Sequence, residues 1–189
     1  MRSLAFTVSL LFLISAGGAG PGAASPAAGD WSLRSADGAD VSFGGALARG
    51  PVLVSFWALW CGPCLKELPH LDALARETGG RLTVLAVNAD GPKGVARVRP
   101  YLQSHRIGLT VPLDTSGDVA RLLQVGGVLP FLVLYDAAGH EVYRHVGYRE
   151  GDEGALRERV LKLLAAAPRA APDSSATRRA PADSGATKP

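Results

Sequence analysis

The sequence predicts an α/β domain built around a central β-sheet. Apolar runs of strand length alternate along the chain with amphipathic stretches of helical period, and this alternation is typical of a sheet covered by helices. Both ends of the chain are rich in Ala, Gly, Ser and Pro, so we assign only residues 30–167 to the folded domain. That segment has a common length for one domain.

A hairpin and a buried strand are expected first. Trp31–Arg34 and Asp40–Phe43 flank the turn-forming pair Asp37-Gly38, which predicts an N-terminal β-hairpin. Pro51–Trp57 is almost continuously apolar, as is typical of a strand buried on both faces. We therefore expect this strand in the core of the domain.

A helix and a second buried strand are expected next. Leucines recur at three-residue steps from Leu65 to Leu74, which predicts a helix through this stretch. Pro69 is expected to kink this helix. Leu82–Val87 has the composition of another buried strand.

The second half of the domain continues the alternation with shorter elements. Asp136-Ala137-Ala138-Gly139 predicts a turn between two strands. Leu156, Val160 and Leu163 are expected to line one face of a closing helix. The other expected elements are a helix over Val95–His105 that Pro100 interrupts, an extended piece at Val111–Leu113, a short helix over Asp118–Leu123, and strands at Phe131–Tyr135 and Glu141–His145.

The charge and hydropathy of the chain exclude some classes of protein. The formal net charge is +3, but residues 30–167 carry fifteen Lys or Arg and fifteen Asp or Glu, so the domain is formally neutral. A basic surface for nucleic acid or acidic lipid is therefore not expected. No run of about 18 strongly apolar residues occurs, which argues against a protein with several membrane spans.

The two ends of the chain are predicted to lie outside the domain. Residues 1–29 combine Arg2, an apolar run at Leu4–Ala16 and small residues, which predicts a signal peptide and a small-residue linker. A retained membrane anchor is the alternative, although the apolar run is short for a span. The composition of residues 168–189, rich in Ala, Pro and Ser, predicts a disordered tail. We expect the domain to be periplasmic or otherwise extracytoplasmic.

Both cysteines of the chain lie in Cys61-Gly62-Pro63-Cys64, at the end of a predicted strand and the start of a predicted helix. The first N–H groups of a helix have no partner within it and favour an anion. The thiol of Cys61 is therefore expected to have a lowered pKa and to supply the attacking thiolate. Cys64 lies one turn inside the helix and suits the second step, in which a mixed disulfide is resolved. The pattern predicts a redox-active dithiol.

Two other uses of the cysteine pair are less well supported. A structural disulfide that closes so short a loop stabilises by only about 2 kcal/mol on the chain-entropy model, against roughly 4.7 kcal/mol for a 100-residue loop. A zinc site needs more ligands than one Cys-x-x-Cys provides, and His70, His105, His140 and His145 show no ligand-like spacing. No metal site and no cofactor is predicted.

The segment Val54–Pro69, with Trp60 directly before the Cys-Gly-Pro-Cys motif, resembles the active-site segment of the thioredoxin superfamily. It is most similar to the TlpA/ResA-like periplasmic thioredoxins. The run Gly126-Gly127-Val128-Leu129-Pro130 matches the place of the family's cis-proline loop, and the resemblance covers roughly Trp31–Leu164. It implies a thioredoxin fold, a central mixed β-sheet flanked by helices, with an N-terminal β-hairpin and a short central insertion near Asp90–Gly108.

The resemblance also implies roles for single residues. Cys61 is implied to be the nucleophile and Cys64 the resolving thiol, while Glu67 would take or give the proton as Cys64 cycles. Pro130 would be the cis-proline, in a loop that packs against the dithiol and offers backbone groups to a substrate strand. The residues alone leave two alternatives open: Glu67 as an acid favoured by the helix dipole, and Pro130 as an ordinary proline at a strand entry. The other residues implied to bind substrate are Trp60, Gly62, Pro63 and Leu129.

Two positions depart from the family pattern. Thioredoxins carry a buried acid six residues before the first cysteine, where this chain has Ser55, so proton transfer must use Glu67, water or the hydroxyl. After the cis-proline the family usually has Thr, whereas this chain has Phe131. A bulky apolar group beside the dithiol could alter which partners dock.

The leading prediction is an exported thiol–disulfide oxidoreductase that reduces specific protein disulfides, for example in cytochrome c or copper-site maturation. Its expected partners are proteins with Cys pairs and a membrane protein that donates electrons, and it is expected to be monomeric. The alternative enzyme is a DsbA-like oxidant of secreted proteins, although Asp90–Ile107 is short for the helical insertion of that group. The non-enzymatic alternative is a copper chaperone, but Met1 is the only methionine that could assist the thiols.

Overall fold

The computed structural model describes residues 29–166, and no helix in that span is long and apolar enough to cross a membrane. The predicted signal peptide and disordered tail lie outside the described residues. The elements are β1 (Ser32–Arg34), β2 (Asp40–Ser42), α1 (Phe43–Leu47), β3 (Val52–Trp57), α2 (Gly62–Glu77), β4 (Thr83–Asn88), a 3₁₀ turn (Val95–Arg97), α3 (Val98–Ser104), α4 (Asp118–Leu122), β5 (Phe131–Tyr135), β6 (Glu141–Val146) and α5 (Asp152–Ala166).

The central sheet is mixed and has four strands in the order β4-β3-β5-β6. Strands β3 and β4 are parallel and are joined by α2, whereas β5 is antiparallel to both β3 and β6. Strands β1 and β2 form the separate antiparallel hairpin that Asp37-Gly38 predicts. The extended piece predicted at Val111–Leu113 is present as isolated bridges to Ser35 and Asn88 rather than as a strand.

One face of the sheet, which we call the α1/α4 face, is covered by α1, α4 and the hairpin. Its aromatic rings contact one another: the ring centroid of Phe43 lies 5.8 Å from Trp31 and 5.0 Å from Tyr135, and Phe56 lies 6.2 Å from Phe131. The α1/α4 face therefore removes a large apolar surface area from water. Its buried residues are Trp31, Phe43, Ala46, Val52, Val54, Phe56, Leu85, Val87, Val119, Leu123, Phe131, Val133 and Tyr135.

The opposite face, the α2/α5 face, is covered by α2, α3 and α5 and holds two apolar clusters. We call them the α5 cluster and the dithiol cluster. The α5 cluster comprises Leu53, Leu71, Leu74, Leu82, Val84, Leu132, Leu134, Leu156, Val160 and Leu164. The dithiol cluster comprises Trp57, Ala58, Cys61, Cys64, Leu68, Ala86, Val98, Leu102 and Val111.

Helix α2 begins at the Cys-Gly-Pro-Cys motif as predicted, but it differs from its prediction in which side chains it buries. It begins at Gly62, directly after the first cysteine, and includes Pro69. Leu65 is only half-buried, whereas Cys64 and Glu67 are buried. An α-helix has 3.6 residues per turn, so residues at every third position do not all remain on the side that faces the sheet. The buried face is instead formed by positions that are alternately three and four residues apart.

Three further elements correct the sequence predictions. Pro100 does not interrupt its helix, because it lies in the first turn of α3, where its missing N–H has no intrahelical role. Leu164 rather than Leu163 completes the buried face of α5. Helix α1 was not predicted. The Ser42 side chain caps it by accepting the N–H of Gly45, and Phe43 and Ala46 are buried.

Candidate active site

The two cysteines form a disulfide at the N-terminus of α2, with their Cα atoms 5.3 Å apart. Cys61 is the N-cap residue of the helix, and its Sγ accepts the backbone N–H of Cys64 at 3.2 Å. The same N–H can stabilise a Cys61 thiolate, because it is one of the helix donors without an intrahelical partner. Cys61 is 6% exposed and Cys64 is 1% exposed, so only Cys61 reaches the surface, and only slightly.

The loop that leads into the dithiol is fixed by Asp90. This buried carboxylate accepts the backbone N–H of Leu59 and the side-chain amide of Asn88, both at 2.8 Å. The N–H of Asp90 in turn donates to the Asn88 side chain at 3.1 Å. This contact was not predicted from the sequence. The available signal was a polar Asn-x-Asp pair that begins at the last residue of the apolar strand β4.

Exposed apolar side chains lie next to the dithiol in sequence and in the loop after α4. Trp60, directly before Cys61, is 69% exposed, and Gly62 and Pro63 are also exposed. Val128, two residues before Pro130, is also exposed. Trp60 is the most exposed large apolar side chain of the described residues.

The loop before β5 has the geometry that the family resemblance implies. The Leu129–Pro130 peptide bond is cis, and the carbonyl of Pro130 accepts the N–H of Gly147 at 2.7 Å. Leu129 packs against the dithiol cluster, so the loop and the two cysteines share one apolar environment. Gly127 has φ 78°, which is a left-handed conformation that suits glycine.

Phe131 does not lie beside the dithiol, contrary to the sequence prediction. Its ring is in the core of the α1/α4 face, 6.2 Å from the ring of Phe56 and beneath the guanidinium of Arg144 at 4.9 Å. Successive side chains along a strand point to opposite faces of the sheet. At the first position of β5 this alternation directs the side chain of Phe131 away from α2. Its bulk is therefore part of the core and not of the site.

Glu67 is a buried acid one helical turn beyond Cys64. It is 5% exposed, and its Oε2 accepts a hydrogen bond from the hydroxyl of Ser55 at 3.0 Å. Burial raises the pKa of the Glu67 carboxyl to about 7, the hydrogen bond from Ser55 opposes that rise, and the negative charge of Asp152 adds to it. Cys64 and Glu67 are three residues apart on α2 and are both buried, and side chains at that spacing occupy neighbouring positions on a helix surface.

Ser55 occupies the position at which thioredoxins carry a buried acid. In this structure the buried acid next to that position is Glu67. Ser55 is on β3 with its side chain toward α2, between Leu53 of the α5 cluster and Trp57 of the dithiol cluster. Glu67 reaches it from α2. The buried titratable group is therefore supplied by the helix rather than by the strand.

A cavity of about 170 Å³ lies between α2, β6 and α5, and Glu67 is among the residues that line it. Neither cysteine is among the residues that line this cavity. Within residues 29–166, no group of three or more His, Cys, Asp or Glu side chains is arranged to hold a metal ion. The groups that the structure places at the start of α2 and beneath it are two sulfurs, the carboxyl of Glu67 and the hydroxyl of Ser55.

Comparison with known proteins matches residues 24–144 of the chain to the AhpC/TSA family. Among curated proteins, the thioredoxin-like protein YneN of Bacillus subtilis is 33% identical over 89 residues, which are 47% of this chain and 52% of that protein. The thioredoxin of Pseudomonas aeruginosa is 54% identical over 43 residues, or 23% of this chain and 40% of that protein. The chain thus spans about half or less of the length of these curated relatives.

Solved structures are similar over more of the chain. A protein described as the thiol:disulfide interchange protein DsbE of Chlorobium tepidum is 30% identical with a TM-score of 0.65, and the match covers 72% of this chain and 94% of that one. A thioredoxin-like protein of Porphyromonas gingivalis is 29% identical with a TM-score of 0.58, and the match covers 71% and 89%. The predicted α/β thioredoxin fold is thereby confirmed.

Proposed function

Because the chain belongs to the AhpC/TSA family and is similar to thiol–disulfide oxidoreductases in sequence and fold, we propose that it reduces specific protein disulfides outside the cytoplasm. The observation that carries this proposal is the position of Cys61 at the N-cap of α2, with the Cys64 N–H on its sulfur. A thiolate formed there is stabilised without any metal or cofactor.

The reaction takes two exchange steps. In the reduced protein, the Cys61 thiolate attacks one sulfur of the substrate disulfide, forms a mixed disulfide and expels the other substrate sulfur as a thiolate. Cys64, once deprotonated, then attacks the sulfur of Cys61 and expels the second substrate thiolate. The products are the reduced substrate and the Cys61–Cys64 disulfide present in the structure, and two electrons have passed to the substrate.

Glu67 is proposed to handle the proton of Cys64. Cys64 must lose its proton before it attacks and must regain one when the protein is reduced again. A carboxyl with a pKa of about 7 can do both near neutral pH, because its two protonation states are then similarly populated. In this role Ser55 is a positioning residue, since its hydroxyl holds the carboxyl of Glu67 under α2.

The substrate surface is proposed to consist of the exposed rim of the dithiol and the cis-proline loop. Trp60 supplies a large exposed ring, and Gly62 and Pro63 are exposed beside Cys61, which itself reaches the surface only slightly. Leu129 and Pro130 belong to the loop that packs against the dithiol cluster. An extended substrate strand laid across this loop places a substrate disulfide against Cys61.

The preferred direction is proposed to be reduction. No positively charged side chain stands between the cysteines, so only the helix terminus and nearby N–H groups stabilise the Cys61 thiolate. We expect a potential of roughly −280 to −220 mV, close to thioredoxin and well below the roughly −120 mV of DsbA. Equilibration with glutathione buffers and counting of thiols by mass shift measures it. A value above about −160 mV would instead place the protein with the DsbA-like oxidants.

We propose the partners of the protein from the redox chemistry of the extracytoplasmic compartment in which we expect it to work. A reductant in an oxidising compartment must be re-reduced, so we propose a membrane protein as its electron donor and proteins with Cys pairs as its substrates, with the signal peptide of residues 1–29 directing export. A Cys64→Ser variant should retain substrates as mixed disulfides that mass spectrometry can identify. Insulin reduction by the wild-type protein, compared with copper binding by the reduced protein, separates this function from a copper chaperone.

A further inference from the structure

The cavity between α2, β6 and α5 is largely apolar. The exceptions are the carboxyl of Glu67 and the ionisable side chains around the opening of the cavity, which we call its rim. Leu71, Leu74, Leu132 and Leu156 form much of its wall. Its volume of about 170 Å³ is enough for several water molecules, since one water occupies about 30 Å³ in the liquid. Water in an otherwise apolar cavity needs polar partners, and the Glu67 carboxyl together with the rim groups provides them.

The ionisable groups of the rim come from every element that surrounds the cavity, and most of them are paired with one another. Asp152 accepts from His145 at 3.2 Å and from the N–H of Arg149 at 2.8 Å. Glu153 accepts from the hydroxyl of Tyr148 at 3.0 Å. The remaining titratable or charged residues of the lining are His70, Glu77, Tyr143 and Arg157, of which Glu77 and Arg157 form an ion pair.

Glu67 differs from the rim acids in its hydrogen bonding. Among the described residues its one hydrogen bond comes from Ser55, to Oε2. The Glu67 side chain is almost wholly buried, and the cavity is the space that it lines. Trp60, Cys61 and Cys64 are not among the residues that line the cavity.

We propose that this cavity is the route by which Glu67 exchanges protons with solvent while a substrate protein covers the dithiol. The inference rests on the proposed function and adds a path to it. When Cys64 gives its proton to Glu67 and attacks Cys61, the bound substrate closes the site from above. The proton then leaves the carboxyl through water in the cavity and passes to bulk solvent at the rim, which His70 and His145 help to line.

Gly154 offers a way to close the cavity. It lies in α5, it lines the cavity, and a Cβ at this position meets no atom within 4 Å. A Gly154→Leu variant therefore places a side chain into open space, and Leu favours a helix more than Gly does. Gly154→Ala is the matched control, because it has the same effect on the helix without filling the cavity. Ala73→Leu closes the cavity from α2 and provides an independent second variant.

The first measurement follows the rate at which the mixed disulfide of a model disulfide peptide resolves to the Cys61–Cys64 disulfide. We expect Gly154→Leu and Ala73→Leu to slow this step by about tenfold or more, whereas Gly154→Ala keeps the wild-type rate. In a Glu67→Gln background, closing the cavity should have no further effect. Equal slowing in that background, or no slowing in either closed variant, would overturn the proposal.

The second measurement does not depend on turnover. The carboxyl C=O stretch of Glu67, assigned by its loss in Glu67→Gln, is titrated in the infrared for the wild-type protein and for both Gly154 variants. Removing water from the cavity should move the midpoint of Gly154→Leu to a higher pH, because desolvation disfavours the carboxylate, while Gly154→Ala should match the wild type. Unchanged midpoints would overturn the route. Shifted midpoints in a protein that reduces no disulfide would refute the proposed function, and with it the role of the route in turnover, and would leave only the contact of Glu67 with water in the cavity.

Discussion

The two faces of the central sheet are built from the same strands but bury different chemistry. On β3, Val54 and Phe56 point into the α1/α4 face, where apolar and aromatic side chains pack together. Ser55, between them, points into the α2/α5 face and meets Glu67 beside the dithiol cluster. Strand alternation thus separates a face of apolar and aromatic packing from a face that also holds the dithiol and a buried acid. Substitutions on the two faces should therefore change different observables.

The largest effect is expected at the dithiol. Cys61→Ser should abolish disulfide exchange, whereas Cys64→Ser should still attack a substrate and stop at the mixed disulfide, because only Cys61 lies at the helix terminus and reaches the surface. Mass spectrometry of the products distinguishes the two variants. If alkylation of the reduced wild-type protein at mildly acidic pH modifies Cys64 faster than Cys61, the roles are reversed.

A core substitution on the α1/α4 face should show the opposite behaviour. Phe43 is almost fully buried between Trp31 and Tyr135, so Phe43→Ala should lower the free energy of unfolding by about 3–5 kcal/mol. Urea denaturation measures this loss. The alkylation rate of Cys61 in the folded variant should stay at the wild-type value. A large change in that rate would show that the two faces are coupled. Phe43→Leu serves as the milder control.

The α2/α5 face should make stability depend on pH. Burial raises the pKa of Glu67 from 4.5 to about 7, so the folded protein holds this proton more tightly than the unfolded chain. The resulting stabilisation is complete below pH 4.5 and is lost as the pH rises through about 7. At about 1.36 kcal/mol per unit, the free energy of unfolding should fall by up to about 3 kcal/mol across this range.

Glu67→Gln should remove that slope, since an amide does not titrate. Urea denaturation between pH 4.5 and 8 is the measurement, and Glu150→Gln, at an exposed position, is the matched control that should keep the wild-type slope. Phe43→Ala should lower the whole curve without flattening it. A slope that persists in Glu67→Gln would assign the pH dependence to another group.

The smallest effect is expected at the contact that fixes the active-site loop. Asp90→Ala removes the acceptor for the N–H of Leu59, a hydrogen bond to a charged group that contributes about 1.5–3 kcal/mol. We expect a modest loss of stability and a several-fold change in the alkylation rate of Cys61. Asp90→Asn keeps one carbonyl acceptor and should recover most of both. If Asp90→Ala destabilises the protein but leaves the alkylation rate unchanged, Asp90 has only a structural role.

The sequence predicts this molecule best where the physical signal is local. Strand β5 has the bounds expected of its apolar run, and the Cys-Gly-Pro-Cys motif lies at the strand-to-helix junction as predicted. Helix α1 escaped prediction because Gly44 and Gly45 have low helix propensity, which the Ser42 cap and the burial of Phe43 overcome. Propensity is a weak signal when tertiary contacts decide the outcome.

The polar part of the site was harder to predict, because it depends on contacts between distant residues. Ser55 and Glu67 are twelve residues apart and meet only because β3 packs beneath α2. The same holds for Asp90 and Leu59, which are 31 residues apart. The sequence shows that such groups exist, and the family resemblance indicated Glu67, but only the packing of the helix on the sheet shows which groups share a hydrogen bond.

The segment that contains Thr110 and Pro112 lies beside β4 and affects the tendency of the protein to self-associate at high concentration. Backbone groups of Thr110 and Pro112 accept the N–H groups of Ala86 and Asn88 at 3.0 and 2.8 Å, so this segment covers the outer edge of β4. Uncovered edge strands offer free N–H and C=O groups to other molecules and promote aggregation. The opposite edge, β6, is protected differently, by charged side chains and a register irregularity in its pairing with β5. We expect β6 to be the edge through which self-association begins.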